Sequence, residues 1–205
     1  KAVRRVLMAK FKMGLFEDPY GERWAHAQMH SDASVALSRK IADESVVLLK
    51  NEGGLLPLDL SKISSIAVIG PNAQSVQFGD YSWSRSTEDG ISPLEGILAY
   101  TLNRGIQVNY ALGCDLMSND ESGIVEAQQV ARKSDVAVVF CGSSSASLAR
   151  DYKGANCGEG FDLSDLSLTG AQEKLIQAVY ATGTPVILVL VTSIDVQLRT
   201  SEHRS

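Results

Sequence analysis

The alternation of short apolar runs with amphipathic helical stretches constrains this chain most. Four runs, residues 66–69, 106–112, 136–140 and 185–191, read as strands. The first is continuously apolar, as expected of a strand buried on both faces. Helical stretches lie between them. Ser92-Pro93-Leu94-Glu95 predicts a helix start: Ser92 can cap, Pro93 fits the first helical position and Glu95 completes a capping box. Leu94, Ile97, Leu98 and Leu102 are its expected buried face, and Gly105 stops it. Another helix covers residues 124–132. A further one starts at Thr169, with Gln172 as a second capping-box partner, and ends at Gly183. Strands joined through helices predict a mostly parallel sheet with helices on both faces, a three-layer αβα sandwich of the α/β class.

Towards the N-terminus, a helix over residues 1–13 ends at Gly14, and an irregular stretch is stopped by Pro19. A longer helix is expected over 32–49, with Leu37, Ile41 and Leu48 on one stripe, followed by a turn over 51–57. Beyond Val191 the chain is polar. Four strands leave an open sheet with an exposed edge, so the expected sandwich is truncated at its C-terminal end.

The 205 residues, 44% of them hydrophobic, suffice for one sizeable core or for one domain with a partial second. A net charge of -5 argues against a nucleic-acid partner. The nearest basic cluster, Lys1, Arg4, Arg5, Lys10 and Lys12, has the spacing of a solvated helix face opposite Val3, Val6, Leu7 and Phe11. No apolar run approaches the roughly 20 residues that span a bilayer, so no membrane partner is expected. The first residues are basic and amphipathic without a cleavage site, unlike a secretory signal. Three cysteines, Cys114, Cys141 and Cys157, leave at least one unpaired. They lack CxxC spacing, so neither zinc nor a redox motif is indicated, and Cys141 reads as a core residue.

In open parallel sheets ligands bind beyond the carboxyl ends of the strands. The loops there, residues 70–90, 113–122 and 142–167, hold Asp80, Asp115 and Glu159 with Phe78, Tyr81, Trp83, Tyr152 and Phe161. Carboxylates that hydrogen-bond hydroxyls, beside aromatic faces that stack on pyranose rings, are the composition of a sugar site. A phosphate-binding turn at Gly70-Pro71-Asn72-Ala73 lacks the glycine triplet of a dinucleotide site and the lysine of a P-loop. A divalent-metal pocket would gather aspartates at the strand ends, where Gly70, Gly113 and Gly142 stand instead. No metal or cofactor is expected.

Several motifs, in order along the chain, resemble family 3 glycoside hydrolases. Phe11-Lys12-Met13-Gly14-Leu15-Phe16-Glu17 and Pro19-Tyr20 resemble the close of that family's barrel domain. The stretch from Ala42-Asp43-Glu44-Ser45 to Lys50-Asn51, with Leu56-Pro57-Leu58 after it, resembles the opening of its second domain. Ile66 to Pro71, Gly79-Asp80-Tyr81, Gly158-Glu159-Gly160-Phe161-Asp162 and Leu166-Ser167-Leu168 to Gln172 continue the match. Three departures stand out. Leu163 replaces the usual Arg, Thr169 the usual Pro, and Ser193-Ile194-Asp195 the turn that normally follows the last strand.

The resemblance implies residues 1–30 as the end of a preceding barrel domain and linker, 31–192 as an incomplete C-terminal α/β sandwich and 193–205 as an atypical polar tail. It implies a retaining, exo-acting β-glycoside hydrolase, β-glucosidase-like or β-xylosidase-like, whose acid/base carboxyl is Glu159. Tyr81 falls near the family's aromatic that stacks on the leaving-group sugar, with Asp80 and Trp83 alongside as substrate-binding candidates. The alternative is that Tyr81 and Trp83 pack the domain interface. Asp162 is read as holding the loop. The expected substrate is a β-linked oligosaccharide or an aryl or alkyl glycoside, and the other partner is the missing barrel domain. That domain carries the family's nucleophile in a Ser-Asp motif. Ser31-Asp32 matches the dipeptide, but at a helix start Asp32 is better explained as a capping or first-turn acid. The chain alone is therefore expected to be inactive. Burial of Glu159 against Tyr152 or Phe161 would suit an acid. A non-catalytic carbohydrate-binding or scaffolding module, or a non-functional truncated product, are the alternatives. Extracellular or periplasmic use is usual for the family.

Overall fold

The computed structural model describes residues 1–20, 30–79, 81–82, 90–145, 155–161, 163–192 and 196–198. It divides into two units, Lys1–Gly54 and Leu55–Ser205.

The first unit contains α1 (Ala2–Lys12) and α2 (Asp32–Ser45). Gly14, at φ 67°, follows α1 and ends it as expected. Ser31 caps α2 by accepting the Ser34 N–H at 3.3 Å, which leaves Asp32 as a first-turn acid. The helix stops at Ser45 rather than residue 49, because Val46 turns to an extended backbone and the stretch through Leu49 continues without helix. Leu48 therefore lies off the helical stripe on which Leu37 and Ile41 sit, and all three are exposed.

The second unit is a four-stranded, wholly parallel sheet in the order β2-β1-β3-β4. Its strands are β1 (Ser65–Ile69), β2 (Gln107–Ala111), β3 (Val136–Gly142) and β4 (Val186–Val191). The helices are α3 (Pro93–Thr101), α4 (Ile124–Arg132) and α5 (Gln172–Tyr180). Side chains alternate across the central strands, so each strand feeds two cores. Ile66, Val68, Val136, Val138 and Phe140 pack with Leu94 of α3, whereas Ala67, Ile69, Ala137, Val139 and Cys141 pack with Ala127 and Ala131 of α4 and Leu175 and Val179 of α5. The chain thus forms the αβα layers read from its sequence, with Cys141 in the core. β2 and β4 are the edges, and β4 is only half-buried along its length.

Local signals hold at α3 and fail at α5. Ser92 Oγ accepts the Glu95 N–H at 3.2 Å, and Glu95 Oε2 accepts the Ser92 N–H at 2.8 Å, which is the expected capping box. Its buried face differs from expectation. Leu98 and Leu102 are exposed and Thr101 is buried in their place, its hydroxyl donating to the Ile97 carbonyl at 2.8 Å. A threonine with its polar group satisfied inside the helix can face the core. The second expected capping box does not form. α5 starts at Gln172. The Thr169 hydroxyl donates to the Leu116 carbonyl. The Gln172 amide turns to Leu116, to Gly142 at the end of β3 and, at 3.3 Å, to Thr169 Oγ1.

At the amino ends of the strands, Asp135 joins β3 to β1. Its Oδ2 accepts the backbone N–H groups of Ser64 and Ser65 at 2.8 and 2.9 Å, together with both hydroxyls. These bonds, led by the Ser64 hydroxyl, hold the carboxyl down at about 2.

Candidate functional site

The strand order creates one favoured crevice. α3, which follows β1, packs on one face of the sheet, whereas α5, which follows β3, packs on the other. β1 and β3 are neighbours, so the loops at their carboxyl ends depart in opposite directions, the usual place for a ligand in such sheets. Gly70 and Gly142 end these two strands at φ 114° and 146°. A Cβ at Gly70 would meet the Phe140 carbonyl oxygen, and one at Gly142 the Val191 carbonyl oxygen, so both turns require glycine.

The two loops carry the two candidates that the structure brings together. Tyr81, after β1, donates its hydroxyl to Glu159 Oε2, after β3. Tyr81 holds a positive φ of 64°, unusual for a tyrosine. Glu159 sits in a tight turn closed by the Phe161 N–H to the Gly158 carbonyl at 3.1 Å. Gly158 and Gly160, on either side of the carboxyl, take positive φ of 112° and 80°, which suits residues without a Cβ. Glu159 is exposed and Phe161 half-buried, so the expected burial of the carboxyl is replaced by a hydroxyl partner at the surface. Tyr152, Asp80, Trp83 and Asp162 lie outside the described residues. Asp115 is exposed on the loop after β2, and Phe78 is half-buried.

Behind Glu159 lies a buried polar network that motif reasoning does not find. Asn156 is 4% exposed. Its N–H donates to the Ser144 carbonyl at 3.1 Å, its Oδ1 accepts the Ser144 N–H at 2.8 Å, and its Nδ2 donates to Thr169 Oγ1 at 2.8 Å. Thr169 Oγ1 in turn donates to the Leu116 carbonyl at 2.8 Å. Gln172, fully buried, accepts the Gly142 N–H at 2.8 Å, and its Nε2 donates to the carbonyls of Leu116 and Gly142 at 2.9 and 3.1 Å. Asn72 Nδ2 donates to the Ser143 carbonyl at 2.9 Å, while Asn72 Oδ1 has no partner among the described residues. Amide side chains next to a glycine-rich loop are the sequence trace of this network.

The thiols of Cys114 and Cys141 are buried. Burial, with the charge of Asp115 adding to it, pushes Cys114 up to about 11, and burial also raises Cys141. Both stay protonated at neutral pH and are poor nucleophiles. Among the described residues, no cluster of His, Cys, Asp and Glu could hold a metal ion, and no helix is long and apolar enough to cross a membrane.

Known proteins share this fold. The chain is 38% identical to a β-xylosidase of Formosa agariphila over 198 residues, covering 93% of this chain and 26% of that protein. It superposes on a β-glucosidase of Erythrobacter marinus with a TM-score of 0.77 at 36% identity, covering 91% of this chain and 27% of that one. A mutant β-glucosidase of Listeria innocua in complex with laminaribiose gives a TM-score of 0.74 at 30% identity, covering 92% and 24%. The chain thus spans about a quarter of the length of these relatives. Residues 46–204 match the glycosyl hydrolase family 3 C-terminal domain, and the chain belongs to family 3 through that domain.

Proposed function

We propose that this chain supplies the acid/base carboxyl, Glu159, of a retaining, exo-acting β-glycoside hydrolase, and that the nucleophile belongs to a barrel domain outside the chain. The observation that carries this reading is the pairing of Tyr81 with Glu159 across the β1/β3 crevice. It joins the two loops that match the family's substrate-binding and acid/base positions. Residues 1–30 are assigned to the end of the barrel and its linker, 31–192 to the sandwich and 193–205 to a polar tail. Asp80, Tyr81 and Trp83 are assigned to substrate binding, where aromatic faces stack on the sugar and Asp80 accepts its hydroxyls.

Retention requires two carboxyl groups about 5 to 5.5 Å apart. In the first step the barrel nucleophile attacks the anomeric carbon while the Glu159 carboxyl gives its proton to the departing glycosidic oxygen. In the second, the Glu159 carboxylate takes a proton from water as that water attacks the same carbon and frees the nucleophile. Glycines on both sides place the Glu159 carboxyl in an exposed turn, where with its Tyr81 partner it can face a cleft shared with another domain. Its surface exposure in this chain fits a site completed by that domain. Without the nucleophile no glycosyl-enzyme forms, so the chain alone should not turn over substrate.

The test uses the full-length polypeptide that includes the barrel. Glu159→Ala should lower kcat/KM for alkyl β-glycosides by about 10²- to 10⁴-fold, the usual worth of general acid catalysis. It should spare glycosylation by 2,4-dinitrophenyl glycosides, whose leaving group needs no proton, and azide should speed their turnover. Wild-type rates on both substrate classes would falsify the assignment and favour a sugar-binding or scaffolding role.

A further inference from the structure

Thr169 stands where the family usually has proline, and its hydroxyl does what a proline cannot. We propose that Thr169 and Asn156 are positioning residues for Glu159, forming a hydrogen-bonded strut from the β2 loop to the acid/base turn. This inference rests on the reading of Glu159 given above. The strut begins at the Leu116 carbonyl, which accepts the Thr169 hydroxyl proton at 2.8 Å. That hydroxyl oxygen then accepts from Asn156 Nδ2 at 2.8 Å, so one side chain is donor and acceptor at once. Asn156 carries the restraint into the loop. Its side-chain oxygen and backbone N–H pair with both polar groups of Ser144, which binds the returning limb of the loop to the limb leaving β3. The next residue, Cys157, is buried and bridges to Ser145 in parallel register. Gly158 and Glu159 follow at once.

The turn that presents Glu159 therefore begins two residues after a fixed point. Beyond that point Gly158 and Gly160, both at positive φ, give the backbone little stiffness of its own. The anchored limb sets where the turn starts, and the Tyr81 hydroxyl meets the carboxyl at its far end. Asn156 is 4% exposed, so solvent cannot replace a lost partner without rearrangement. Proline at position 169 would restrict the backbone but would offer Asn156 Nδ2 no acceptor. In this chain the restraint on the loop is a hydroxyl, and the departure from the family pattern is a functional substitution.

The experiment compares Thr169→Val, Thr169→Ser and Asn156→Ala in the full-length polypeptide, with Glu159→Ala as reference. Thr169→Val keeps shape and removes the hydroxyl. It and Asn156→Ala should lower kcat/KM for an alkyl β-glycoside by about 10- to 100-fold, the scale of a misplaced catalytic group. Glycosylation by the 2,4-dinitrophenyl glycoside should change less than about threefold by the same reasoning, and azide should speed its turnover in both variants. Thr169→Ser keeps the donor and acceptor and should restore wild-type selectivity. Hydrogen exchange gives an independent readout on the chain itself: the Asn156 and Phe161 amides should lose protection in Thr169→Val while the Val138 amide of β3 keeps it. Equal losses on both glycosides, or a Thr169→Ser variant as impaired as Thr169→Val, would overturn the strut while leaving Glu159 in its role. A Glu159→Ala variant without leaving-group selectivity would remove that role and the strut's purpose together.

Discussion

Gly113 and Leu175 offer a stringent check on how the strand ends meet α5. Gly113 leaves β2 at φ 75°, and a Cβ placed on it would lie 2.5 Å from Leu175 Cδ1 and 2.8 Å from Cδ2. Leu175 itself is fully buried. Gly113→Ala therefore incurs about 1–2 kcal/mol for a left-handed alanine and about 1–3 kcal/mol for overpacking against the leucine. Leu175→Ala removes the obstacle and leaves a cavity, at about 2–5 kcal/mol. In the double variant the alanine methyl enters the vacated space. The overlap disappears, and refilling a methyl-sized volume returns about 0.8 kcal/mol. The strain at φ 75° remains. The double variant should then be about 2–4 kcal/mol more stable than the sum of the single changes, once overpacking relief and refilling are combined. Urea unfolding of the four proteins, followed by circular dichroism, supplies the cycle, provided the slopes agree. Additivity within about 0.5 kcal/mol would refute the packing argument and leave backbone conformation as the only reason for glycine at 113.

Two further outcomes follow from single contacts. Asp135 has its carboxyl held at about 2 by the Ser64 and Ser65 donors, below the ordinary value of 3.8. A depressed folded-state value means stability that is present in full above about 4 and is lost as pH falls through about 2. The urea midpoint of the wild-type chain should fall more steeply between pH 5 and pH 2 than that of Asp135→Asn, and parallel curves would contradict the linkage. Tyr81→Phe removes the hydroxyl that meets Glu159. In the full-length polypeptide it should lower kcat/KM for an alkyl β-glycoside by about five- to tenfold, one hydrogen bond's contribution, and an unchanged value would detach Tyr81 from the acid/base group.

The sheet is legible in the sequence because burial leaves parallel strands little choice. Residues 66–69 and 136–140 are apolar throughout, and β1 and β3 extend those runs by one residue and two residues respectively. Helix ends are less legible. Val46 to Leu49 continue an apolar pattern, yet the backbone is already extended at Val46, so hydrophobicity there does not report helix. Thr101 loses to Leu98 and Leu102 in any reading by hydrophobicity, because its polarity hides the bond to Ile97 that lets it face the core. The glycines around Glu159 are legible, since a turn at positive φ favours residues without a Cβ. The pairing of Tyr81 with Glu159 joins residues 78 positions apart and depends on strand order, which local patterns do not encode.

The support behind Glu159 shows the same limit in sharper form. Gln172 has the spacing of a capping-box partner, and that spacing is equally compatible with an amide turned inward. The choice is made by Gly142, whose N–H and carbonyl at the end of β3 both need partners away from water. Once Gln172 satisfies them, α5 cannot use it as a cap and starts there instead of at Thr169. Thr169, whose hydroxyl oxygen also accepts from Gln172 Nε2 at 3.3 Å, links Leu116 to Asn156. Its departure from the family's proline resembles, in the sequence, the loss of a helix-start signal, yet α5 starts at Gln172 and does not use that signal. One buried demand at a strand end thus fixes the start of a helix, the role of a neighbouring hydroxyl and the footing of the carboxyl loop. Gln172→Glu tests that ordering, because a carboxylate can accept from Gly142 N–H but cannot donate to the carbonyls of Gly142 and Leu116. The variant should unfold at lower urea than wild type at pH 7, by about 1–3 kcal/mol for the acceptors left unpaired in the core. The gap should narrow as pH falls and the side chain regains a proton to donate. A gap that stays constant from pH 7 to pH 5 would mean that the amide's donor side does not hold the strand end.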